Sequence, residues 1–372
     1  MSTRITLRDA CERIDYGLTT SAVHGGGKGP YFLRITDIDN SFVDWGAVPR
    51  CEATPAEVAK YELKNGDVVV ARTGASTGRS QWVEVAGPAV FASYLVRFRA
   101  ARAFDSRFIG FVLSSAPWRD YVSAVAHGKS AQPNMSAGDM ANFAFDCPEL
   151  EQQRAIAEVL GALDDKIAAN QRVLSCALEL ASAMWRKCAS NASESKPLRD
   201  VATLHYGKAL PAGSREPGPV DVYGSGGVVG SHTQALVSGP GVVVGRKGTA
   251  GAVHWADGPH YPIDTTYWVE GKGSVGAHYL FFALQQAGLT EMNSDSAVPG
   301  LNREEAYARP IPVPQSVDHD VFVGKCSALF DLVAQMKRES AALARSRDSL
   351  LPLLMSGKVQ VKDAEKVVEG VV

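Results

Sequence analysis

The chain has 372 residues, enough for two domains of ordinary size, each able to bury a core. Its 45% hydrophobic and 21% charged residues exclude a disordered or fibrous class. A net charge of −2 excludes a strongly basic, self-sufficient nucleic-acid binder, because phosphate contacts dominate such affinity. Nor is either half basic: residues 1–150 carry 16 Lys or Arg against 16 Asp or Glu, and residues 196–314 carry 9 against 10. Any cationic surface must be clustered on one face or supplied by partner subunits. The six cysteines are widely spaced, without a CxxC pair, which disfavours a disulfide framework and a zinc site. No run of 18 apolar residues and no signal-peptide segment occur, so the chain reads as cytoplasmic and free of the membrane.

In chain order, residues 1–148 read as a first mixed module. Strands are expected at 31–38, 67–72, 80–85 and 93–98, rich in β-branched and aromatic residues between turn formers. A helix is expected over 105–125, with Asp105 as N-cap. The module closes on a proline-bearing strand at 143–149. Residues 149–192 form a helical region in which Leu160, Ile167, Leu174 and Ala181 recur every seven residues, interleaved with Leu163, Asn170, Ala177 and Met184: a heptad seam with one polar layer. A second module, 193–314, has strands near 219–223, 241–246, 252–256 and 264–269, a helix at 276–287 and a proline-bearing strand at 308–314. A second helical region, 315–358, carries Leu329, Met336, Leu343 and Leu350 at heptad spacing. Pro352 should kink it near its end and Gly357 should cap it. A short strand, Val359-Gln360-Val361, opens the tail 359–372.

The two modules repeat each other. GDVVVARTGASTGRSQW (66–82) returns as GPGVVVGRKGTAGAVHW (239–255), pairing Arg72 with Arg246, Gly74 with Gly248 and Trp82 with Trp255. Tyr16-Gly17 is echoed by Tyr206-Gly207, and Ser130-Ala131-Gln132-Pro133 by Ser296-Ala297-Val298-Pro299. Tandem duplication of a whole domain accounts for this. Each long helix needs a partner stripe, and the nearest is the other one; as successive copies of one repeat, a pseudo-twofold relation would run them antiparallel. The fold class is therefore α/β (α+β): two duplicated domains separated by two long antiparallel coiled-coil helices. A helix of some 35 residues would be a spacer of roughly 50 Å.

The glycine loops after predicted strands are the candidate chemistry. Gly74-Ala75-Ser76-Thr77-Gly78 fits the GxSxG pattern of hydrolases, but a strand and not a helix is expected after it. Residues 241–248 fall one short of a P-loop. The same loops suit phosphate or base contact: Arg72, Thr73 and Ser76 in the first module, and Ser225, Arg246, Lys247 and Thr249 in the second, stand where glycines let a ligand approach the backbone. Arginine can pair with guanine or phosphate; the alternative is that each arginine supports its own loop. Lys129, Ser130, Gln132 and Asn134 form a second polar cluster, matched by Asn302 and Arg303, with turn formation an equal contender. Arg34 can reach DNA or pair with Asp37 or Asp39. His232 and His254 read as packed or hydrogen-bonding residues. No NPPY or DPPY segment and no HExxH pair is present, so any extruded base has to be handled by another chain.

Four segments carry a family likeness: PELEQQRAIAEVLGALDDKI (148–167), VYGSGGVVGSH (222–232), VVVGRKGTAGAVHW followed by YPIDTTYWV (242–269) and LLPLLMSGKVQV (350–361). On these the chain resembles the DNA specificity subunit of type I restriction-modification systems, over nearly its whole length. The resemblance implies a non-catalytic reader of a split DNA target. One target-recognition domain would read each half, and the helices would set the spacing. It further implies that the helices dock two modification subunits that methylate adenine N6, joined by restriction subunits. S-adenosylmethionine, ATP and Mg would then sit on those partners, and no cofactor on this chain. The coiled-coil or partner-binding positions would be Leu160, Leu163, Ile167, Leu174, Leu329, Met336, Leu343 and Leu350. The rival reading is an enzyme or carbohydrate-binding protein built on duplicated Gly-rich β modules, for which measured helical spacers have no use.

Overall fold

The computed structural model describes residues 3–23, 27–38, 42–126, 133–273, 275–293 and 300–370. The chain forms two compact units, residues 1–170 with 338–372 and residues 171–337, so the division passes through both long helices.

The first module runs β1 (Thr3–Thr6), α1 (Leu7–Ala10), β2 (Cys11–Tyr16), β3 (Ala22–Val23), β4 (Tyr31–Leu33), β5 (Arg50–Cys51), α2 (Pro55–Tyr61) and β6 (Val68–Ala71). It continues with β7 (Ser80–Trp82), β8 (Ala89–Phe91), β9 (Leu95–Ala100), α3 (Ser106–Val112), α4 (Ala116–Ala126), α5 (Ala137–Ala141) and β10 (Ala144–Cys147), then α6 (Leu150–Ser190). The second module has β11 (Glu194–Pro197), α7 (Leu198–Val201), β12 (Ala202–Tyr206), β13 (Val220–Gly224), β14 (Gly227–His232) and β15 (Gly241–Gly245). Then come β16 (Val253–Ala256), β17 (His260–Pro262), β18 (Thr266–Gly271), α8 (Ala277–Gln286), α9 (Arg303–Tyr307), β19 (Pro310–Val313), α10 (Ser316–Met355) and α11 (Val361–Glu369).

The duplication read from sequence is a duplication of topology. One antiparallel sheet has the order β2-β9-β6-β7 and its counterpart β12-β18-β15-β16; a smaller sheet has β3-β5-β4-β8 and its counterpart β14-β13-β17. Even the register agrees, Val68 facing Trp82 in one module and Val242 facing Trp255 in the other. Each module is closed by pairing its first strand with its proline-bearing last one, β1 with β10 and β11 with β19.

The unbroken Val runs follow from burial on both faces. In β6, Val68 and Val70 enter the core under α3 and α4, whereas Val69 and Ala71 enter the core against the smaller sheet. In β15, Val242 and Val244 pack with α8, and Val243 with Tyr223 and Ala256.

The expected single helix over 105–125 is two helices. Asp105 caps the first, accepting from Phe108 N at 2.9 Å. Ser114 and Ser115 then bond back to the carbonyls of Phe111 and Val112, competing with the helical ladder, and Pro117 sits in the first turn of the next helix, where its missing N–H costs nothing. The expected strand at Val359-Gln360-Val361 is absent. Gly357 (φ +70) ends α10 as foreseen, but Gln360 is the N-cap of α11. Val361, Ala364 and Val368 recur at helical spacing and pack into the first unit's core.

In each unit one stretch of α6 lies against one stretch of α10, running the opposite way. In the first unit Leu160, Leu163 and Ile167 share a core with Leu343 and Leu350, and Asp164 pairs with Arg347 at 2.6 Å and Lys166 with Glu339 at 3.3 Å. In the second, Ala181, Trp185 and Cys188 pack with Phe322, Cys326 and Phe330, while Asn191 Nδ2 donates to Asp318 at 3.4 Å. The seam expected through Leu329 and Met336 is displaced there: Leu329 is half-buried at the edge of that core, and Leu174 and Met336 are half-buried outside it. Docking against the module as well as the other helix selects a different stripe of α10, in which Phe322, Cys326 and Phe330 follow at spacings of four.

Candidate nucleic-acid interface

Both modules build the same loop from the same parts. In the second, the residue after β15 is Arg246; its N–H and that of Lys247 both donate to the Thr265 carbonyl, at 2.8 and 3.1 Å, and the Arg246 carbonyl accepts from Leu301 N at 2.8 Å. Gly248 (φ +80) and Gly251 (φ +83) make the turn that only glycine takes without strain. In the first, Arg72 N donates to Tyr94 O and Arg72 O accepts from Met135 N, both at 2.9 Å, and Gly74 (φ +73) and Gly78 (φ +87) turn the chain. The GxSxG serine, Ser76, therefore ends a single 3-10 turn followed by strand β7, with no helix to form a nucleophile elbow.

Each arginine lies over a tyrosine that ends the neighbouring edge strand: Arg72 is 4.7 Å from the Tyr16 ring centroid and Arg246 is 5.3 Å from that of Tyr206. Both tyrosines are exposed despite their size. Each is followed by a glycine whose Cβ would collide with carbonyl oxygens, at 2.2 Å from Phe91 for Gly17 and 2.1 Å from Ile263 for Gly207. The repeated Tyr-Gly dipeptide therefore seats the ring where backbone from the smaller sheet crosses. Tyr16 and Tyr206 are the residues sequence reasoning missed as site members; their recurrence beside a glycine was the available signal.

The second site is the more cationic. Arg303 also stacks on Tyr206, at 5.0 Å, and reaches Tyr307 at 5.9 Å. Arg246 donates Nε–H and Nη2–H to the Asp264 carbonyl at 3.1 and 2.6 Å, which orients its fork and leaves Nη1 outside those two bonds. Lys247 is exposed. Among the described residues none of the three forms an ion pair, and together with Tyr206, Tyr267 and Asn302 they line one open cleft. Burial, and then the neighbouring Tyr206, push the Tyr267 hydroxyl up to about 12, so it stays protonated and donates to the Leu301 carbonyl at 3.3 Å. In the first module Arg72 carries no such company; Nη2 reaches Asn134 Oδ1 at 3.4 Å.

Other candidates are committed to the fold. Arg34 clasps Asp37 through two bonds of 2.9 and 2.8 Å, the internal pairing foreseen as its alternative. Ser225 is buried and its hydroxyl donates to the Thr265 carbonyl. Asn302 caps α9, accepting from Glu304 N at 2.9 Å, which is the turn-forming role. Thr73 pairs with Asn134 as an isolated bridge, and Thr249 is exposed at the loop tip. Lys129, Ser130, Gln132 and Ser296 lie outside the described residues. His254 bonds the Ser225 carbonyl at 2.9 Å and His232 accepts from Glu216 N at 3.2 Å. Among the described residues no cluster of metal-ligating side chains forms, and no helix is long and apolar enough to cross a membrane.

The sequence model of the type I restriction modification DNA specificity domain matches residues 32–176. Within those residues the chain is similar to this DNA specificity domain. The match runs from β4 through the Arg72 loop into α6, so it takes in that loop, but not Tyr16, and much of the first long helix. Among solved structures, the type I restriction-modification system S subunit from M. genitalium superposes with a TM-score of 0.60 at 18% identity, over 95% of this chain and 96% of that one. That likeness shows that the two-module fold is shared with a specificity subunit. An HsdS subunit from Thermoanaerobacter tengcongensis matches at 17% identity and a TM-score of 0.38, over 96% of this chain and 97% of that one. No curated protein matches the sequence. The specificity family gives no support to the rival enzyme or carbohydrate-binding reading.

Proposed function

We propose that the chain is the DNA-reading subunit of a type I restriction-modification assembly, each module contacting one half of a split target. The observation that carries this is the repeated arginine-on-tyrosine loop: one frame, built twice, with different side chains around it. An exposed guanidinium backed by a ring can meet a phosphate or the O6/N7 edge of guanine. Arg246, Lys247 and Arg303 would contact DNA in the second module, Arg72 in the first. The chain itself performs no chemistry in this reading. Adenine methylation and cleavage fall to modification and restriction subunits holding S-adenosylmethionine, ATP and Mg, docked on α6 and α10, in the cytoplasm. The near-neutral modules supply little of the electrostatic term, so partners would raise DNA affinity.

The test is selection of duplexes from a random library by the full chain, alone and with its modification subunits, followed by sequencing. The expected product is a two-part sequence with a fixed gap, bound orders of magnitude more tightly when the partners are present. Enrichment of no sequence under either condition overturns the reading.

A further inference from the structure

One exposed apolar feature lies outside the cores of the second module. In the β13–β14 hairpin, Gly224 faces Gly227 across a turn of Ser225 and Gly226, and Val228 and Val229 follow. These two side chains are 55% and 45% exposed. Val229 is the extra residue of a β-bulge, between the Val222–Gly230 and Tyr223–Val228 pairs, which bends the strand where the two exposed valines sit. Between Val222 and Ser231 it has no charged residue, and four glycines keep it thin.

The ribbon is nevertheless held firmly, and beside the cationic cleft. Ser225 Oγ donates to the Thr265 carbonyl, the same oxygen that receives the N–H groups of Arg246 and Lys247. His254 bonds the Ser225 carbonyl, and Arg215 Nη1 donates to the Val229 carbonyl at 2.7 Å while its Nε holds Leu210 O at 3.2 Å. A place beside unpaired cations argues for an anionic partner, and a two-stranded ribbon is of a width that the major groove admits.

We infer that Val228 and Val229 read thymine C5-methyl groups in the half-site of the second module. This rests on the DNA-reading function above. Ser225 is buried, and Ser231 Oγ accepts from Gly218 N at 3.4 Å, so the side chains most exposed at the ribbon end are the methyl-bearing ones of Val228 and Val229. The apolar feature of a base edge in the major groove is the thymine methyl. The first module has a different element at this point: the Leu33 carbonyl accepts from Ala92 N as that of Tyr223 accepts from Ile263 N, but the residues that follow form the Arg34–Asp37 clasp. The two modules would thus read different bases from one frame.

The experiment uses the two-part duplex selected by the full chain, with the second module's half assigned by its loss of preference in Arg246→Ala. Each thymine of that half is replaced by deoxyuridine, which removes the methyl and keeps every hydrogen-bonding group. Native chain should bind the substituted duplex about fourfold more weakly for each methyl read, whereas Val228→Ala/Val229→Ala should bind both duplexes alike. Substitution in the other half should affect native chain and variant equally. A half-site without thymine on either strand, or equal binding of both duplexes by native chain, overturns the inference. So does undiminished methyl sensitivity in the variant. Loss of binding in the variant without methyl sensitivity in native chain would mark the valines as a wedge between base steps, which also overturns it. If no two-part sequence is selected at all, the DNA-reading function fails instead.

Discussion

At one cross-strand position the two modules solve the same problem with opposite chemistry. Asp15 faces Arg97 between β2 and β9, and His205 faces Trp268 between β12 and β18. Arg97 is fully buried, bound to Asp15 at 2.9 and 2.7 Å and to the Glu62 carbonyl, 3.8 Å from Asp67 and over the Phe91 ring. His205 and Trp268 instead stack with centroids 4.0 Å apart, partly open to solvent, with His205 Nε2 bonded to Glu270. The strand order and register stay the same. A sheet of this kind tolerates exchange of an ion pair for a ring stack because backbone pairing and the Val runs specify it. The residues above it are then free to diverge into two readers.

The largest effect should come from opening the buried side of that comparison. Arg97→Ala leaves Asp15 to Arg13 and Asp67 to Arg99 but removes the charged hydrogen bonds to Asp15 and the Glu62 carbonyl, and should cost about 3 kcal/mol, confined to the first module. Segment-resolved hydrogen exchange in urea checks this; an effect spread over both modules would break the comparison. Next comes binding. Arg246→Ala should cost about 1–3 kcal/mol and alter sequence preference in one half-site only, if it contacts a base; methylation mapping of the assembled complex would show this, and changed preference in both halves would refute modular reading.

Acid should separate the modules as well. Burial holds His260 and His278 below their ordinary 6.5. Their neutral forms are favoured only when folded, so the stability they contribute is present above pH 6.5 and is lost as pH falls from there through their folded-state values, at up to about 1.4 kcal/mol per pH unit for each group. The second module should therefore open first on acidification from pH 7 to 5, and His260→Gln should flatten the slope; an unchanged slope in that variant would exclude His260 as its source. The smallest effect belongs to the ring stack. Trp268→Ala should forfeit about 0.5–1.5 kcal/mol of pair energy beyond lost area, well under the Arg97 change, and a larger loss would mean that the two positions are not equivalent.

What the sequence by itself determined was the pattern that backbone and burial enforce: two mixed modules, the register of the Val runs, the glycine turns, the Asp105 cap and two long helices. Those signals are local or recur along the chain, and duplication doubled each of them. It also placed Arg72, Arg246 and Arg303 in candidate loops. Only the tertiary structure decided what each side chain is free to do. Arg34 and Arg246 look alike as cations near a strand, but one is spent on Asp37 and the other lies over Tyr206. Ser225 is consumed by the Thr265 carbonyl, which lies in another segment, and Asn302 by the cap of the helix that follows it. The helical tail and the displaced seam of α10 share one cause. Which apolar face is buried depends on the surface it meets, and that surface is assembled from residues distant in the chain.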